Sequence, residues 1–124
     1  MTSNRKTTGS RGEELAAQFL LRKGFRILER NYRTPRGEID IIAQKAKILA
    51  FVEVKTDRTG DFGAPEGWVT PRKQRQIARM ALRYLRQRNF PGIDPRFDVI
   101  GVTLRKGKPE IEHIEGAFWL PEAK

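Results

Sequence analysis

Two neighbouring segments of the chain carry acidic side chains that could hold a divalent cation. Glu38 and Asp40 lie in one segment with an alternating pattern, and Glu53 and Lys55 lie in the next. Side chains alternate along a β-strand, so each pair shares one face of its strand. If an even number of residues joins the strands, antiparallel pairing places Asp40 or Glu38 opposite Glu53, whereas an odd number separates them. We expect the even case.

The residue types of the chain restrict such a site to oxygen ligands. The chain has no cysteine and one histidine, His113, which argues against a thiolate cluster, a zinc site or an imidazole-based triad. Carboxylates within about 4 to 6 Å of one another resist joint ionisation, so a cluster of them favours a hard cation such as Mg²⁺ or Mn²⁺. Ordinary cross-strand ion pairs among the same side chains are the alternative.

Apolar side chains occupy both faces of these two strands. A sheet face that is merely solvated would stay polar along its length, so we expect both faces to be covered and the charges to line the edge of a cleft. We place Ile39 and Ile41 on the face opposite the acidic residues, with Ile48, Ala50, Val52 and Val54. The acidic face also carries Ile42, Leu49 and Phe51.

The segments Gly37 to Ile41 and Phe51 to Lys55 together resemble the split PD-(D/E)XK signature of restriction-endonuclease-like nucleases, with Ile39 in place of the usual proline. Over residues 9–118 the chain resembles the YraN family of small bacterial proteins. It is similar, at greater distance, to archaeal Holliday-junction resolvases. The further residues that carry the YraN resemblance are Gly9, Glu13, Lys73, Arg96, Phe97 and Asp98.

The resemblance implies an α/β fold with a restriction-endonuclease-like mixed β-sheet flanked by two helices. It also implies a metal-dependent endonuclease-type phosphodiesterase acting on DNA, with branched DNA as a candidate substrate. Asp40, Glu53 and the backbone carbonyl of Val54 would hold Mg²⁺ or Mn²⁺, and Lys55 would lie beside the attacking water and the scissile phosphate. The alternative is a non-catalytic nucleic-acid-binding module on the same fold. A two-fold homodimer would suit symmetric junctions, although nothing in the residues demands one.

Two further acidic residues are ambiguous. Glu13 shares a helical face with Ala16 and so points inward, which would let it join the catalytic residues. As the partner of Ser10 in a capping box, it would instead be purely structural. Glu38 is either an additional catalytic acid or an ion-pair partner of Lys55.

A strongly basic helix is predicted in the second half of the chain. Thr70 and Pro71 form a helix start signal, and the helix ends before Pro91. Residues 67–93 include no acidic residue, and the net charge of the chain is +10. This pattern favours contact with nucleic-acid phosphates over a plain solvated face. Lys73 lies nearer the buried edge and either reaches the active site or extends to solvent. The predicted nucleic-acid-binding residues are Arg72, Lys73, Arg75, Arg79, Arg83 and Arg86.

The elements that must position these residues follow in the order helix, three strands, helix, and two or three strands. We expect a disordered basic arm at residues 1–8 and one nuclease-like domain at 9–120. No apolar run is long enough to span a membrane and the N-terminus lacks a signal-peptide core, so we expect no membrane contact and a cytoplasmic location. The first helix should run from Ser10 to a stop at Gly24, a loop should cover 57–66, and strands are predicted at 25–32, 38–44, 48–56, 96–104 and 110–114.

Four other residues are weaker candidates. Phe62 and Trp68, in or beside the loop, could stack on unpaired bases, although loop aromatic residues more often pack against their own domain. His113 is most simply a surface residue of a strand. Asp98 lies on an apolar strand, where we expect it to pair only with an arginine.

Overall fold

The computed structural model describes residues 4–59, 61, 63, 67–105 and 108–119. Within these ranges the elements follow in the predicted order, which confirms the α/β fold with a mixed sheet and two helices. No helix in this part of the chain is long and apolar enough to cross a membrane. The elements are α1 (Asn4–Arg22), β1 (Arg26–Thr34), β2 (Gly37–Lys45), β3 (Ile48–Asp57), α2 (Pro71–Gln87), β4 (Asp94–Thr103) and β5 (Glu110–Phe118).

The strands lie in the sheet in chain order, from β1 to β5. β3 and β4 are parallel, and the other neighbouring strands are antiparallel. A parallel pair needs a crossover connection, and α2 belongs to it. One hydrophobic cluster, which includes Phe51, Tyr84 and Phe97, packs α2 against one face of the sheet. A second cluster, which includes Leu20 and Ile41, packs α1 against the other face, so both faces are covered as predicted.

Helix α1 begins earlier than the sequence pattern indicates. It starts at Asn4 and not at Ser10, so it includes residues 4–8 of the segment for which we expected disorder. Helix nucleation is the costly step, and extending a helix that already packs on a sheet costs little. Ser10 lies inside the helix and is therefore no N-cap, which removes the capping-box interpretation of Glu13. The predicted stop is present, because Gly24 adopts a φ of +96°.

Helix α2 begins as its start signal predicts. The Thr70 hydroxyl accepts a hydrogen bond from the Lys73 amide at 3.2 Å, and Pro71 occupies the first turn. The buried face consists of Ile77, Ala78, Met80, Ala81 and Tyr84. The opposite face therefore leaves its arginines in solvent.

Strands β2 and β3 pair in the even register. Ile41 pairs with Val52 and Lys45 pairs with Ile48, which leaves only Ala46 and Lys47 in the turn. Ala46 adopts a φ of +52°, a left-handed conformation suited to such a tight turn. Continued by one position, this register places the next two residues, Asp40 and Glu53, opposite each other.

The expected side for Ile39 is wrong. Ile39 packs in the cluster under α2, together with Ile42, whereas Ile41 packs in the cluster under α1. Strict alternation would have put Ile39 and Ile41 on one face. The neighbouring strand β1 is irregular here, since Asn31 adopts a φ of +53°. Alternation in β2 therefore breaks between Ile39 and Ile41, on either side of Asp40.

Candidate active site

The carboxylates of Asp40 and Glu53 converge in a pocket between β2, β3 and α2. The pocket has a volume of about 390 Å³ and is also lined by Glu38 and Lys73. Glu53 is 5% exposed. One oxygen of Asp40 accepts a hydrogen bond from the Val54 amide at 2.8 Å, so this carboxylate occupies the place of a backbone carbonyl at the end of the β2–β3 ladder. Both predicted acidic ligands therefore face the same cavity.

The Val54 carbonyl is the third predicted ligand. In an extended strand, the N–H and C=O of one residue point to the same neighbouring strand. The Val54 N–H points to Asp40, so we expect the carbonyl to face this side of β3 as well. The donor set is then two carboxylates and one carbonyl.

The environment of Asp40 disfavours its charged form. The pKa of Asp40 is raised to about 8, mainly because the carboxyl group is buried and secondly because Glu53 is negatively charged. The hydrogen bond from the Val54 amide lowers the pKa but does not outweigh these two effects. A buried carboxylate beside another carboxylate is costly without a compensating cation. Titratable groups perturbed in this way are typical of functional sites.

Two further carboxylates, those of Glu13 and Glu38, lie close to Asp40. One carboxylate oxygen from each of Glu13, Glu38 and Asp40 lies within 4.8 Å of the others. Asn31 holds the first two in place, because its side-chain amide donates to Glu13 at 3.0 Å and to Glu38 at 3.1 Å. Glu38 also accepts a hydrogen bond from Arg33 at 2.8 Å, so the alternative in which Glu38 pairs with Lys55 is not the observed arrangement.

Sequence analysis missed Asn31. The available signal was an asparagine inside an apparent strand, since asparagine tolerates the left-handed conformation better than most residues do. The observed φ of +53° fits that preference. Asn31 therefore positions two acidic side chains through its own irregular backbone.

Gly12 brings α1 close enough for Glu13 to reach the site. A Cβ atom at Gly12 would lie 2.0 Å from the Thr56 hydroxyl and 2.9 Å from the Thr56 Cβ. Such distances are below any contact that packed side chains adopt. The absence of a side chain at Gly12 thus permits the close approach of α1 to β3.

The lysine at the pocket is Lys73 and not Lys55. Lys55 is exposed and is not among the residues that line the pocket, while the Lys73 ammonium forms an ion pair with the Glu53 carboxylate. Partial burial lowers the pKa of Lys73, but contact with Glu53 and the charges of Asp40 and Glu38 outweigh it, so the pKa is raised. Of the two interpretations of Lys73, the structure supports the one in which it reaches the site.

A family model described as "Uncharacterised protein family UPF0102" matches residues 12–102 of the chain. The chain belongs to the UPF0102 family. This is the YraN family, so the family resemblance stated from the motifs is confirmed. The matched range includes Glu13, Asp40, Glu53 and Lys73.

Several UPF0102 proteins are similar to this chain over nearly its whole length. A UPF0102 protein of Geobacter sulfurreducens is 50% identical over 116 residues, which cover 93% of this chain and 91% of that protein. A UPF0102 protein of Syntrophotalea carbinolica is 49% identical over 118 residues, which cover 95% of this chain and 96% of that protein. The similarity therefore extends across the elements that form the site.

The basic face of α2 in this UPF0102 chain is exposed and has no acidic partner among the described residues. Arg72, Arg75, Arg79, Arg83 and Arg86 are all exposed, and none forms an ion pair with a carboxylate in the described ranges. Elsewhere basic residues do pair, as Arg30 does with Glu14 at 2.8 Å. Exposed positive charges without partners are suited to a polyanion.

The aromatic candidates do not form an exposed stacking platform in the described residues. Trp68 is 5% exposed, belongs to the cluster under α2, and donates its indole N–H to the Gly63 carbonyl at 3.0 Å. Trp68 thus packs against its own domain. Phe62 lies outside the described residues.

His113 is not the surface residue that we expected, since its side chain is only 3% exposed. Its Nε2 contacts Asp98 at 2.8 Å, and its Nδ1 lies 2.8 Å from the Lys23 ammonium. A lysine ammonium only donates, so Nδ1 accepts and Nε2 donates to Asp98. The alternation of β5 contained the signal, because Ile111, two residues before, faces the core.

Asp98 pairs with an arginine as predicted, but not with an arginine alone. It is fully buried, and its two oxygens accept from the Arg96 guanidinium at 2.9 Å each. The Gly116 amide donates a further hydrogen bond at 3.1 Å. Burial raises the pKa of Asp98, but hydrogen bonds from His113, Arg96 and Gly116 outweigh it and lower the pKa overall. This cluster joins β4, β5 and the end of α1, and it is separate from the candidate active site.

Proposed function

We propose that this UPF0102 chain is a metal-dependent endonuclease-type phosphodiesterase that acts on DNA, built on a restriction-endonuclease-like fold. The observation that carries the proposal is the convergence of Asp40 and Glu53 in one pocket, with Lys73 beside them. Simple binding of nucleic acid requires no buried carboxylates, and these repel the phosphate backbone. A cation between the protein and a phosphate resolves that conflict.

The donor set suits Mg²⁺ or Mn²⁺. Asp40, Glu53 and the Val54 carbonyl supply oxygen ligands only, which small hard cations prefer. The metal-free pocket is costly, as the raised pKa of Asp40 indicates, and a dication would remove that cost. When bound, such an ion would lower the pKa of a water molecule and offset the charge on the phosphate oxygens.

The chain's own side chains would supply the remaining functions. Lys73 offsets the charge of Glu53 in the metal-free protein, and its ammonium would turn to the scissile phosphate once a dication takes over that task. Glu38, held by Asn31, would accept the proton from the attacking water. Hydrolysis adds one water across one P–O bond and leaves a phosphomonoester and a hydroxyl group.

One observation favours the second candidate function, a non-catalytic nucleic-acid-binding module. Lys55, the lysine of the signature, lies exposed outside the pocket lining. Such a module would use the basic face of α2 alone. The two functions differ in whether Asp40 and Glu53 are needed.

The deciding experiment is a cleavage assay with Mg²⁺ or Mn²⁺ on linear, flapped and four-way DNA. We expect cleavage of at least one substrate, and losses of about 100-fold or more for Asp40→Asn and Glu53→Gln, since ligand loss removes transition-state stabilisation. Glu112→Gln is the matched control, because Glu112 is an exposed carboxylate on β5. Failure on every substrate, with DNA still bound, would move the assignment to the binding module.

Metal binding can be measured without any substrate. Calorimetric titration of Mn²⁺ should give binding heat for the natural chain and for Glu112→Gln, and none for Asp40→Asn. Identical weak heats for all three would argue against the metal site. Sedimentation of the same samples would test the prediction of a homodimer.

A further inference from the structure

A second cavity lies between the outer side of α2 and the β1–β2 turn. Its volume is about 330 Å³, and we call it the arginine groove. The Thr34 hydroxyl accepts a hydrogen bond from the Arg36 amide at 3.1 Å, which fixes the turn that forms one wall. Three arginines of α2, spaced four and three residues apart, form the other wall as one helical stripe. The lining residues are Thr34, Arg36, Arg79, Met80, Leu82, Arg83 and Arg86.

The arginine groove concentrates positive charge that the described part of the protein does not neutralise. Arg36, Arg79, Arg83 and Arg86 are exposed, and none forms an ion pair with a described carboxylate. Guanidinium groups around one cavity repel one another unless an anion lies between them. Guanidinium groups also match the geometry of phosphate oxygens.

The groove adjoins the candidate active site. Met80 lines both cavities, and Arg36 and Gly37, neighbours in the β1–β2 turn, line one cavity each. A Cβ atom at Gly37 would lie 3.7 Å from the Met80 side chain, so turn and helix touch at this boundary. A ligand leaving the acidic pocket along α2 therefore enters the arginine groove directly.

The length of the path limits the kind of ligand. Lys73 lines the acidic pocket, and Arg79, Arg83 and Arg86 of the groove follow it after six, ten and thirteen residues of helix, which correspond to about 9, 15 and 20 Å. The middle distance corresponds to about four base steps of 3.4 Å along a nucleic-acid duplex. A ligand that reaches all three arginines from the acidic pocket therefore needs several successive phosphates, which a polynucleotide strand has at every step.

We propose that the arginine groove holds backbone phosphates of the strand that is cut, about four nucleotides to one side of the scissile phosphate. The inference rests on the proposed function, because it takes the acidic pocket as the place of cleavage. The substrate is accordingly a polynucleotide that continues past the cut on the groove side. A strand that ends at the cut on that side lacks the phosphates that the groove binds.

The first test measures DNA binding without metal or cleavage. In EDTA, fluorescence anisotropy of a labelled DNA duplex gives the dissociation constant over a series of salt concentrations. Each lost phosphate contact should reduce the slope of log K against log salt by about 0.9, so Arg79→Gln/Arg83→Gln should reduce it by about 1.8 and weaken binding roughly tenfold. The matched control is Arg22→Gln/Arg26→Gln, which removes two exposed charges outside the groove that form no ion pair with a described carboxylate. Equal slopes for the two double variants would overturn the proposal.

The second test uses cleavage and separates the two proposals. Shortening the flank on one side of the cut to fewer than about four nucleotides should lower kcat/KM of the natural chain at least tenfold, and shortening the other flank should not. The Arg79→Gln/Arg83→Gln variant should lose this asymmetry. If shortening either flank had the same effect, the proposal for the arginine groove would be contradicted and the nuclease proposal would stand.

If no substrate is cleaved, the nuclease proposal fails. The salt dependence of DNA binding then still tests whether the arginine groove binds phosphates. Binding to phosphatidylserine vesicles that depends on these arginines, with unchanged DNA binding, would also overturn the inference.

Discussion

Replacing Asp40 by asparagine should stabilise the metal-free protein while removing a ligand of the proposed metal site. Asp40 shares its pocket with Glu53, and burial together with the charge of Glu53 raises the pKa of Asp40 to about 8 from a usual 3.8. A carboxyl group whose pKa is raised by folding makes the folded state lose stability as the pH rises from the unfolded pKa to the folded pKa. An asparagine has no charge to bury, and its amide oxygen can still accept the hydrogen bond from the Val54 amide.

The magnitude follows from the two pKa values. Between the usual 3.8 and pH 7 the unfolded chain ionises while the folded Asp40 stays protonated, and at 1.36 kcal/mol per pH unit this costs the folded state about 4 kcal/mol. Rearrangement and entry of water relieve part of the penalty, so we expect Asp40→Asn to be more stable than the natural chain by about 2 to 4 kcal/mol at pH 7. Near pH 3.5 the Asp40 carboxyl group of the natural chain is largely neutral, as the asparagine of the variant always is. The difference in stability between the two proteins should therefore nearly vanish.

Urea denaturation in EDTA at a series of pH values measures this difference. Glu112→Gln is the control, because it removes one exposed carboxylate of the same charge; its stability difference should stay near zero across the range. If the proposed metal site is correct, adding Mn²⁺ should stabilise the natural chain and leave Asp40→Asn unchanged, since only the natural chain keeps the full set of proposed ligands. A difference between Asp40→Asn and the natural chain that does not change with pH would refute the reasoning.

Three further predictions concern other residues. Lys73→Ala should lower the cleavage rate about 100-fold and Lys55→Ala less than threefold, because only Lys73 touches the pocket; equal losses in a steady-state assay would restore Lys55 as the functional lysine. Asn31→Gly keeps the left-handed backbone but removes the amide that holds Glu13 and Glu38, so calorimetry should show Mn²⁺ affinity about tenfold lower with the thermal midpoint nearly unchanged. Asp98→Asn should destabilise the fold by about 3 to 5 kcal/mol at pH 7, because it breaks a buried charge pair. The lowered pKa of Asp98 stabilises the fold above its usual 3.8 and this contribution is lost as the pH falls below it, so urea titrations should show the gap narrowing at acid pH; a constant gap would contradict this assignment.

The periodicity of apolar residues and the signals at helix ends were sufficient to predict the order of the elements and the position of α2. The alternation of strands β2 and β3 also predicted that Asp40 and Glu53 share a face, but the length of their turn was a choice between even and odd. The structure decides it, because Lys45 pairs with Ile48. Strong local signals such as Thr70 followed by Pro71 act within a few residues, which is why they can be recognised without the fold.

The parts that sequence reasoning missed depend on contacts between distant segments. Ile39 lies on the unexpected face because alternation in β2 breaks at Asp40, and a regular sequence pattern does not reveal such a break. Lys73 replaces Lys55 at Glu53 because the crossover connection carries α2 back over the end of β3. His113 is buried beside Asp98 of the neighbouring strand, with which its Nε2 forms a hydrogen bond. Each depends on tertiary geometry that a linear pattern does not contain.

The contact between Gly12 and Thr56 sets the distance at which α1 packs on the sheet. An alanine there would push the helix outwards as a rigid rod, and every side chain on its inner surface would move with it. Glu13 would retreat from Asp40 without any change in its own chemistry. The position of the Glu13 carboxylate thus depends on the absence of a side chain at Gly12, so a defect at the candidate site can originate at a residue that carries no functional group.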